Sequence, residues 1–331
     1  MHDPRWAGGL VFLMVVSAWS APVVYVDQGR GSDRRDGISA TVEGYNTGPV
    51  RTVQAALRRV SPGGRILVLP SREPYRESFV IEGSRSMGSA ARPLVIDGGG
   101  QEWIGWRPVR EEWRHRHDEI YRLDRPTKTF TRLFQNRQPI DLACLDVDRP
   151  GAGLASLKGS RFETQLFFAA EGLKNPREYN LRGTSAEGCV VMHGASHVVL
   201  RHFRFLGFRI DAIQVKGISR DIRIESCEIA YSGRGGVFIG SNAEVSIEQV
   251  RMREIGQVGI IADDQSRVML KHVSVDQTPD RLRRGERVRL DDDEKEALDD
   301  PLAIPSDTVP PLPDPLPMED DPAKRFSRPQ E

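Results

Sequence analysis

Three chemically useful side chains stand at related points of a repeat in the C-terminal half of the chain. Lys216, Gly240 and Asp263 follow one another at steps of 24 and 23 residues, and Phe238 precedes Gly240 by two residues. If the repeat forms strands stacked about 4.8 Å apart, Lys216 and Asp263 lie two strands, or roughly 10 Å, from each other. We expect a cation, a carboxylate and an aromatic face within the span of one sugar unit, with a gap at Gly240.

Three kinds of chemistry fit these residue types. Lys216 could abstract the proton α to a carboxylate if a neighbour such as Arg209 lowered its pKa. Asp263 and Asp264 could bind calcium, whose charge would acidify the same carbon. Asp211 and Asp263 could be the acid and the base of a glycosidase if their carboxyl groups lie within about 10 Å of each other.

The candidates divide into three groups. They are Lys216, Asp263 and Asp211 for catalysis, Phe238, Gln214, Arg209 and Arg234 for substrate binding, and Asp263 and Asp264 for calcium. The alternative is that all of them are solvated charges on a soluble repeat without activity. His193, His197 and His202 are interpreted as separate surface imidazoles rather than as a metal cluster.

The elements that must position these side chains are short runs in which every second residue is apolar. Each repeat contains three such runs, and the runs return at steps of 23 or 24 residues. Alternation of this kind predicts a strand that is buried on one face. The recurrences begin at Val198, Ile222, Val245 and Val268; at Phe203, Cys227, Val250 and Val273; and at Cys189, Ile213, Val237 and Ile260.

A unit of about 23 residues cannot bury its apolar face alone, but stacked units can. Leucine-rich repeats have a similar period, yet they need a Leu-x-x-Leu-x-Leu pattern and contain one strand per unit, whereas three are visible in this sequence. The sequence therefore predicts an all-β fold, a parallel β-helix with three-strand coils over residues 21–280.

Two segments inside this range depart from the repeat. Residues 50–60 predict an amphipathic helix with Thr52 as its N-cap, which would cover the open end of the first coil. Residues 101–187 break the period and are predicted to be an excursion from the coils. Within it, residues 120–123 and 132–135 are predicted to form a strand pair.

Both ends of the chain are expected to lie outside the folded domain. The apolar run 8–18 and the small residues Ala18 and Ser20 predict a signal peptide over residues 1–20, with a buried N-terminal helix as the alternative. The run is roughly half the length of a membrane span, so we expect a secreted, periplasmic or cell-surface protein without one. Residues 281–331 are charged and proline-rich and predict a disordered tail.

Composition excludes several classes of partner. The 47 basic and 47 acidic residues balance, so no overall field attracts nucleic acid or an anionic membrane. The three cysteines lack the C-x-x-C spacing of a zinc or redox site, and Cys189 and Cys227 are expected to be small core residues. Oligomeric state is left open by the sequence.

Several motifs of the N-terminal part carry a family resemblance. They are Val24-Tyr25-Val26-Asp27, Pro62-Gly63-Gly64-Arg65-Ile66, Pro74-Tyr75-Arg76-Glu77 and Arg92-Pro93-Leu94-Val95-Ile96. Together with the repeat, they make residues 23–278 resemble secreted right-handed parallel β-helix proteins of the pectate lyase-like superfamily, including alginate and chondroitin lyase-like members and β-helix glycoside hydrolases. The resemblance implies right-handed coils and a polysaccharide partner.

The reaction that the resemblance implies is a polysaccharide lyase or glycoside hydrolase reaction. The alternative is a non-catalytic β-helix module that binds glycan or serves at the cell surface. Polygalacturonase-like members carry four catalytic motifs, of which this chain has only the aspartate pair Asp263-Asp264. Lyase-like members use a Lys or Arg base beside a second Arg or calcium, and Lys216, Arg209 and Arg234 do not reproduce that pattern.

Overall fold

The computed structural model describes residues 22–83, 88–123, 130–140, 155–159, 164–172, 174–240, 242–263, 265–285 and 289–290. The predicted signal peptide, Cys144, Asp264 and residues 291–331 of the predicted tail lie outside the described residues. No helix in the described ranges is long and apolar enough to cross a membrane.

The secondary structure divides into a start, an insertion and a regular stack. The start contains β1 (Val23–Val26), α1 (Val53–Leu57), β2 (Arg65–Val68), β3 (Phe79–Glu82), β4 (Leu94–Asp97) and β5 (Glu102–Ile104). The insertion contains β6 (Trp106–Pro108), β7 (Trp113–His117), β8 (Ile120–Leu123), β9 (Leu133–Gln135), β10 (Gln138–Ile140), β11 (Ala155–Gly159), β12 (Thr164–Ala169), a 3₁₀ turn (Pro176–Tyr179) and β13 (Leu181–Thr184). The stack contains β14 (Val190–His193), β15 (Ser196–Arg201), β16 (Arg204–Leu206), β17 (Asp211–Lys216), β18 (Arg220–Glu225), β19 (Glu228–Ala230), β20 (Gly235–Ile239), β21 (Glu244–Glu248), β22 (Arg251–Arg253), β23 (Val258–Ala262), β24 (Arg267–Lys271), β25 (Ser274–Asp276), β26 (Asp280–Arg284) and β27 (Arg289–Leu290).

Three parallel sheets run along the coils. Sheet A has the order β1-β2-β4-β15-β18-β21-β24-β27, sheet B has β5-β16-β19-β22-β25, and sheet C has β3-β14-β17-β20-β23-β26. Each coil passes through sheets C, A and B in turn, so every strand pairs with its equivalents in the coils before and after it. The predicted parallel β-helix with three strands per coil is confirmed.

The core is built from the inward residues of the three sheets. In sheet A, Ile222 pairs with Val245 and Ile224 pairs with Ile247, as the repeat predicts. These four side chains are at most 4% exposed, and they belong to one apolar cluster that continues through all the coils. Cys189 and Cys227 are buried free thiols, and Cys189 belongs to this cluster, as predicted.

Each of the three turns in a coil contains a position with a left-handed backbone. After sheet C strands these positions are Gly194, Gly217, Asn242 and Gln265, with φ of 60° to 67°. After sheet A strands they are His202, Ser226, Gln249 and His272, with φ of 49° to 55°. After sheet B strands they are Gly207, Tyr231, Glu254 and Gln277. Gly207 is required for a second reason, because a Cβ there would come within 2.2 Å of the Trp106 ring.

The predicted N-terminal helix is one turn and a half rather than three turns. It begins after Thr52, whose side chain accepts the N–H of Ala55 as predicted for an N-cap. The carboxylate of Glu77 accepts the N–H groups of Val53 and Gln54. The helix packs beside β1, β2 and β3, which is the position expected of a cap on the first coil.

The excursion is an insertion of two small antiparallel sheets, with the orders β10-β9-β13-β6 and β11-β12-β8-β7. It begins later than predicted, because β5 still belongs to sheet B. The predicted strand pair is wrong: strands do form at 120–123 and 133–135, but β8 pairs with β7 and β12, whereas β9 pairs with β10 and β13.

The insertion packs on the outer face of sheet B. Phe134 contacts Trp106 and Tyr231, with ring centroids 4.5 and 5.7 Å apart. A row of alternating charges also crosses this face, and both of its ends lie on the insertion. Its members, in order, are Arg137, Glu102, Arg204, Glu228, Arg253, Glu254 and Arg132.

The coils continue beyond the boundary predicted at residue 280. Strand β26 pairs with β23, and β27 pairs with β24. The sequence around 281–290 is rich in arginine, which is why it predicts a tail rather than a strand. An exposed strand at the end of a stack needs few apolar residues, since it has a neighbour on one side only.

Candidate functional site

The outer face of sheet C carries the predicted site residues in the predicted register. Gln214 pairs with Phe238, and Phe238 pairs with Ile261. The N–H of Gly240 donates to the carbonyl of Val215 at 2.7 Å, and the N–H of Asp263 donates to that of Ile239 at 2.8 Å. Lys216, Gly240 and Asp263 therefore follow the ends of three successive strands.

Asp211 lies under this face as a buried anion. Its side chain is 0% exposed, and its Oδ1 accepts from Nε of Arg234 at 2.9 Å while Oδ2 bonds Nη2 of the same guanidinium. The amide of Gln214 donates to Oδ2 at 3.0 Å. Ala212 and Ile213 both belong to the core, so the alternation breaks and Asp211 shares the outer side with Gln214.

This geometry does not favour the predicted role of Asp211 as acid or base of a glycosidase, and that role stays a prediction. The carboxylate is fully buried and is engaged by an arginine and an amide, so a glycosidic oxygen does not reach it in this arrangement. We assign Asp211 a positioning role, in which it holds Arg234. Gly235 makes room for it, because a Cβ at that position would lie 2.8 Å from Oδ1 of Asp211.

The aromatic ring of Phe238 is the centre of the cluster. The guanidinium carbon of Arg234 lies 5.1 Å from the ring centroid, and Nζ of Lys216 lies 6.0 Å from it. Both distances are within the range of cation–π attraction. The hydrogen bond to Asp211 is the main cause that raises the pKa of Arg234, and the charge of Asp263 adds to it.

Lys216 differs from Arg234 in having no anionic partner. Among the described residues, no carboxylate lies within 4.0 Å of its ammonium group. The predicted gap at Gly240 is bordered by Phe238, because a Cβ there would lie 3.5 Å from the ring edge and 3.6 Å from Cα of Lys216. Among the described residues, the cluster thus offers one cation that has no carboxylate partner, beside an aromatic ring.

Arg209 does not belong to this cluster. It precedes β17, whereas Lys216 ends it, so that roughly 17 Å of strand separates the two backbones. Its guanidinium forms an ion pair with Glu187. Arg209 is therefore not a close neighbour of Lys216, and charges at that separation on a solvated face are largely screened from each other.

The calcium candidates are only partly placed. Asp263 is exposed at the end of β23, and Asp264 lies outside the described residues. Within the described ranges, no group of three His, Cys, Asp or Glu side chains could hold a metal ion. Calcium takes six to eight oxygen ligands, so the described residues do not assemble a site for it.

Two further residues, His193 and Glu82, lie in line with Lys216, Gly240 and Asp263 at the ends of the sheet C strands. His193 pairs with Lys216 on one side and with Glu82 on the other. The imidazole leans toward the Lys216 coil, since its Nε2 lies 3.6 Å from where a Cβ on Gly217 would be. The repeat in the sequence could have identified His193, because it lies 23 residues before Lys216. It could not have identified Glu82, because the insertion separates Glu82 from the regular 23-residue repeat.

The insertion borders the other end of the face. Oγ1 of Thr131 bonds the carbonyl of Arg209 at 3.2 Å, and it would lie 2.4 Å from a Cβ on Gly233. Thr131 is held in turn by the buried Thr184, whose Oγ1 accepts the N–H of Thr131 at 2.9 Å. These contacts fix the insertion beside the turns that lead to Asp211 and Arg234.

Residues 188–290, which form β14 to β27, match the family described as "Right handed beta helix region". The protein is a right-handed parallel β-helix. The match includes the coils that carry Lys216, Phe238 and Asp263. No curated protein sequence matches the chain.

Three solved structures are similar at the level of the fold. The structure described as "The complex structure of XylC with xylose" is 11% identical, with a TM-score of 0.41, and the match covers 78% of this chain and 65% of that one. A "Glycoside hydrolase" is 8% identical, with a TM-score of 0.37 and coverage of 82% and 96%. A lacto-N-biosidase from Eubacterium ramulus is 10% identical, with a TM-score of 0.33 and coverage of 78% and 45%. This chain thus spans less than two thirds of XylC and of the lacto-N-biosidase, and likeness at this level carries no activity over to it.

Proposed function

We propose that the protein is exported and binds a polysaccharide that carries acidic groups along the outer face of sheet C. The observation that carries the proposal is the ammonium group of Lys216, which lies beside the Phe238 ring without a carboxylate partner among the described residues. The ring offers apolar surface to a sugar, and the ammonium group offers a charge-assisted hydrogen bond to its carboxylate.

The buried pair beneath this surface supports the same function. Asp211 neutralises Arg234 and fixes the guanidinium against the Phe238 ring, so the ring is held before a ligand arrives. Preorganisation of this kind lowers the entropy cost of binding. The face is therefore built for contact with a ligand rather than for solubility alone.

A catalytic version of the proposal is elimination rather than hydrolysis. Hydrolysis would need two free carboxyl groups, and Asp211 is engaged by Arg234. In elimination, Nζ of Lys216 would take the proton α to the sugar carboxylate. The C–H electrons would form the double bond while the glycosidic oxygen leaves and takes a proton from solvent. The alternative is a module that binds the same glycan without cleaving it.

Binding is tested by titrating the purified protein with hyaluronan, alginate and polygalacturonate, with neutral xylan for comparison. We expect Lys216→Ala to weaken acidic-glycan binding about tenfold at low salt and less at high salt. Lys271→Ala is the matched control, because Lys271 ends a strand of sheet A and bonds Glu248. Equal effects of the two variants, or absence of acidic-glycan binding, would contradict the proposal.

Steric access is tested at Gly240. A Cβ there would meet its neighbours at 3.4 Å or more, and its φ is not in the left-handed region, so a side chain can be added without backbone strain. We expect Gly240→Val to leave thermal unfolding nearly unchanged and to reduce glycan binding at least as much as Lys216→Ala. Double-bond absorbance and reducing ends measured on the same samples separate lyase, hydrolase and binding module.

Export is tested separately from binding. The predicted signal peptide implies that the mature chain begins near Ala21. N-terminal sequencing of material from the periplasm or medium checks this, and an intact Met1 on the exported protein would contradict it.

A further inference from the structure

The residues at the ends of five neighbouring sheet C strands form a row on its outer face. From β3 to β23 the row is Glu82, His193, Lys216, Gly240 and Asp263. Adjacent strands are about 4.8 Å apart, so Glu82 and Asp263 each lie roughly 10 Å from Lys216, on opposite sides of it. The row is therefore a cation with a carboxylate two coils away in each direction.

The two carboxylates are accessible to a ligand. Glu82 and Asp263 are both exposed. Among the described residues, neither lies within 4.0 Å of a basic side chain. A glycan that follows the row past Lys216 must therefore pass a negative charge at each end, and like charges that meet at an interface reduce binding.

The positions between these charges are neutral or can bond hydroxyl groups. His193 stands between Glu82 and Lys216, and an imidazole can donate or accept a hydrogen bond. Gly240 stands between Lys216 and Asp263 and leaves the edge of the Phe238 ring accessible. Glu82 and Asp263 themselves accept hydrogen bonds from sugar hydroxyls, which is a favourable contact for a neutral unit.

We infer that this face selects polysaccharides in which acidic units are sparse among neutral ones, and that Glu82 and Asp263 reject a chain that is acidic at every unit. The inference rests on the proposed function, and it narrows the substrate class of the same face. Lys216 binds one carboxylate, the two flanking carboxylates bind hydroxyls of neutral units on either side, and a polyuronate is disfavoured by its own charge density.

The test varies charge density on one backbone. Oligogalacturonates of equal length are prepared with all carboxyls free, with half of them methyl-esterified, and with all of them esterified, and each is titrated into the full-length protein. We expect the half-esterified form to bind about tenfold more tightly than the free-acid form. The fully esterified form should also bind more weakly than the half-esterified one, because it lacks a carboxylate for Lys216.

The double variant Glu82→Gln, Asp263→Asn identifies the residues responsible. We expect it to bring the free-acid form to within about twofold of the half-esterified form. The control is Glu244→Gln, Asp276→Asn, which removes two exposed carboxylates paired with Arg267 and Arg251 on the other sheets. This control should leave the wild-type ratio unchanged.

The outcomes separate the two levels of the argument. If the free-acid form binds as tightly as the half-esterified form and still depends on Lys216, the inference fails and the proposed function stands. An unchanged ratio in the double variant also overturns the inference. If no form binds, the inference and the proposed function fail together.

Discussion

Removal of Arg234 tests whether the buried anion organises the functional face. In Arg234→Met the carboxylate of Asp211 stays fully buried, and the amide of Gln214 remains as its donor among the side chains described. Breaking a buried ion pair by removing one partner costs about 3–5 kcal/mol. Because the Arg234 side chain is 40% exposed, solvent reaches the pair, and we expect a smaller cost than this range, about 2–3 kcal/mol of unfolding free energy.

The matched control is Arg223→Met. Arg223 is also 40% exposed and also pairs with an aspartate, but its partner Asp221 is 29% exposed instead of 0%. A pair that solvent reaches on both sides contributes less than about 1 kcal/mol. The difference between the two losses of unfolding free energy therefore reports the burial of the aspartate, since the two arginines are equally exposed.

A second background gives an independent signature. In an Asp211→Asn chain no carboxylate is left unpaired when Arg234 is replaced by Met, so this substitution should cost less stability there than in the wild-type chain.

Urea unfolding followed by circular dichroism measures both effects. A loss of about 2–3 kcal/mol corresponds to roughly 4–12 °C in Tm for a domain of this size. Equal losses in Arg234→Met and Arg223→Met, or an equal cost of Arg234→Met in the wild-type and Asp211→Asn chains, would refute this role of the buried pair. In either case the face would not depend on a buried charge.

Three further predictions concern the coils. Ile224→Asp should cost at least about 4 kcal/mol because it buries an unpaired carboxylate at a fully buried site, whereas Glu225→Ala should change urea unfolding little; equal effects would contradict the register. Burial acts to raise the pKa of Asp97, but bonds from His202, the Gly99 N–H and Arg201 outweigh it and lower the pKa. The stability this provides is present above the unfolded pKa and is lost as pH falls through the lowered one, so Asp97→Asn should flatten the acid limb of a stability–pH curve, and an unchanged limb would contradict it. Deleting residues 291–331 should leave the unfolding free energy unchanged. Deleting residues 281–331 should lower it, because this deletion removes most of β26 and all of β27. Equal stability of the two truncated proteins would show that these strands contribute nothing.

The repeat could be read from the sequence because its signals are local. Alternation along a strand places Val198 and Leu200 inward without reference to any other part of the chain, and the 23-residue step then places their equivalents. The same step assigned Lys216, Phe238 and Asp263 to one face. Register in stacked coils is strongly specified, since a shift of one residue would expose every inward side chain.

The state of Asp211 could not be read in this way. Ala212 and Ile213 both point into the core at the start of β17. They interrupt the inward–outward alternation, so alternation alone does not predict where the Asp211 side chain lies. Its partner Arg234 stands one coil away, at the end of a turn whose backbone path is set by packing against Thr131 of the insertion. Asp211 and Arg234 form a buried ion pair only when β17, the turn before β20 and the insertion pack together.

The sequence by itself thus determined the coils, the core columns and the face on which the candidate residues lie, because each depends on short-range alternation and a fixed step. Only the tertiary structure decided which of those residues are accessible. In the tertiary structure Asp211 is buried beneath Arg234, Arg209 pairs with Glu187, and Glu82 lies beside His193 although the insertion separates them in the sequence. Contacts of this kind join residues that are distant in the chain, and their geometry depends on how whole elements pack.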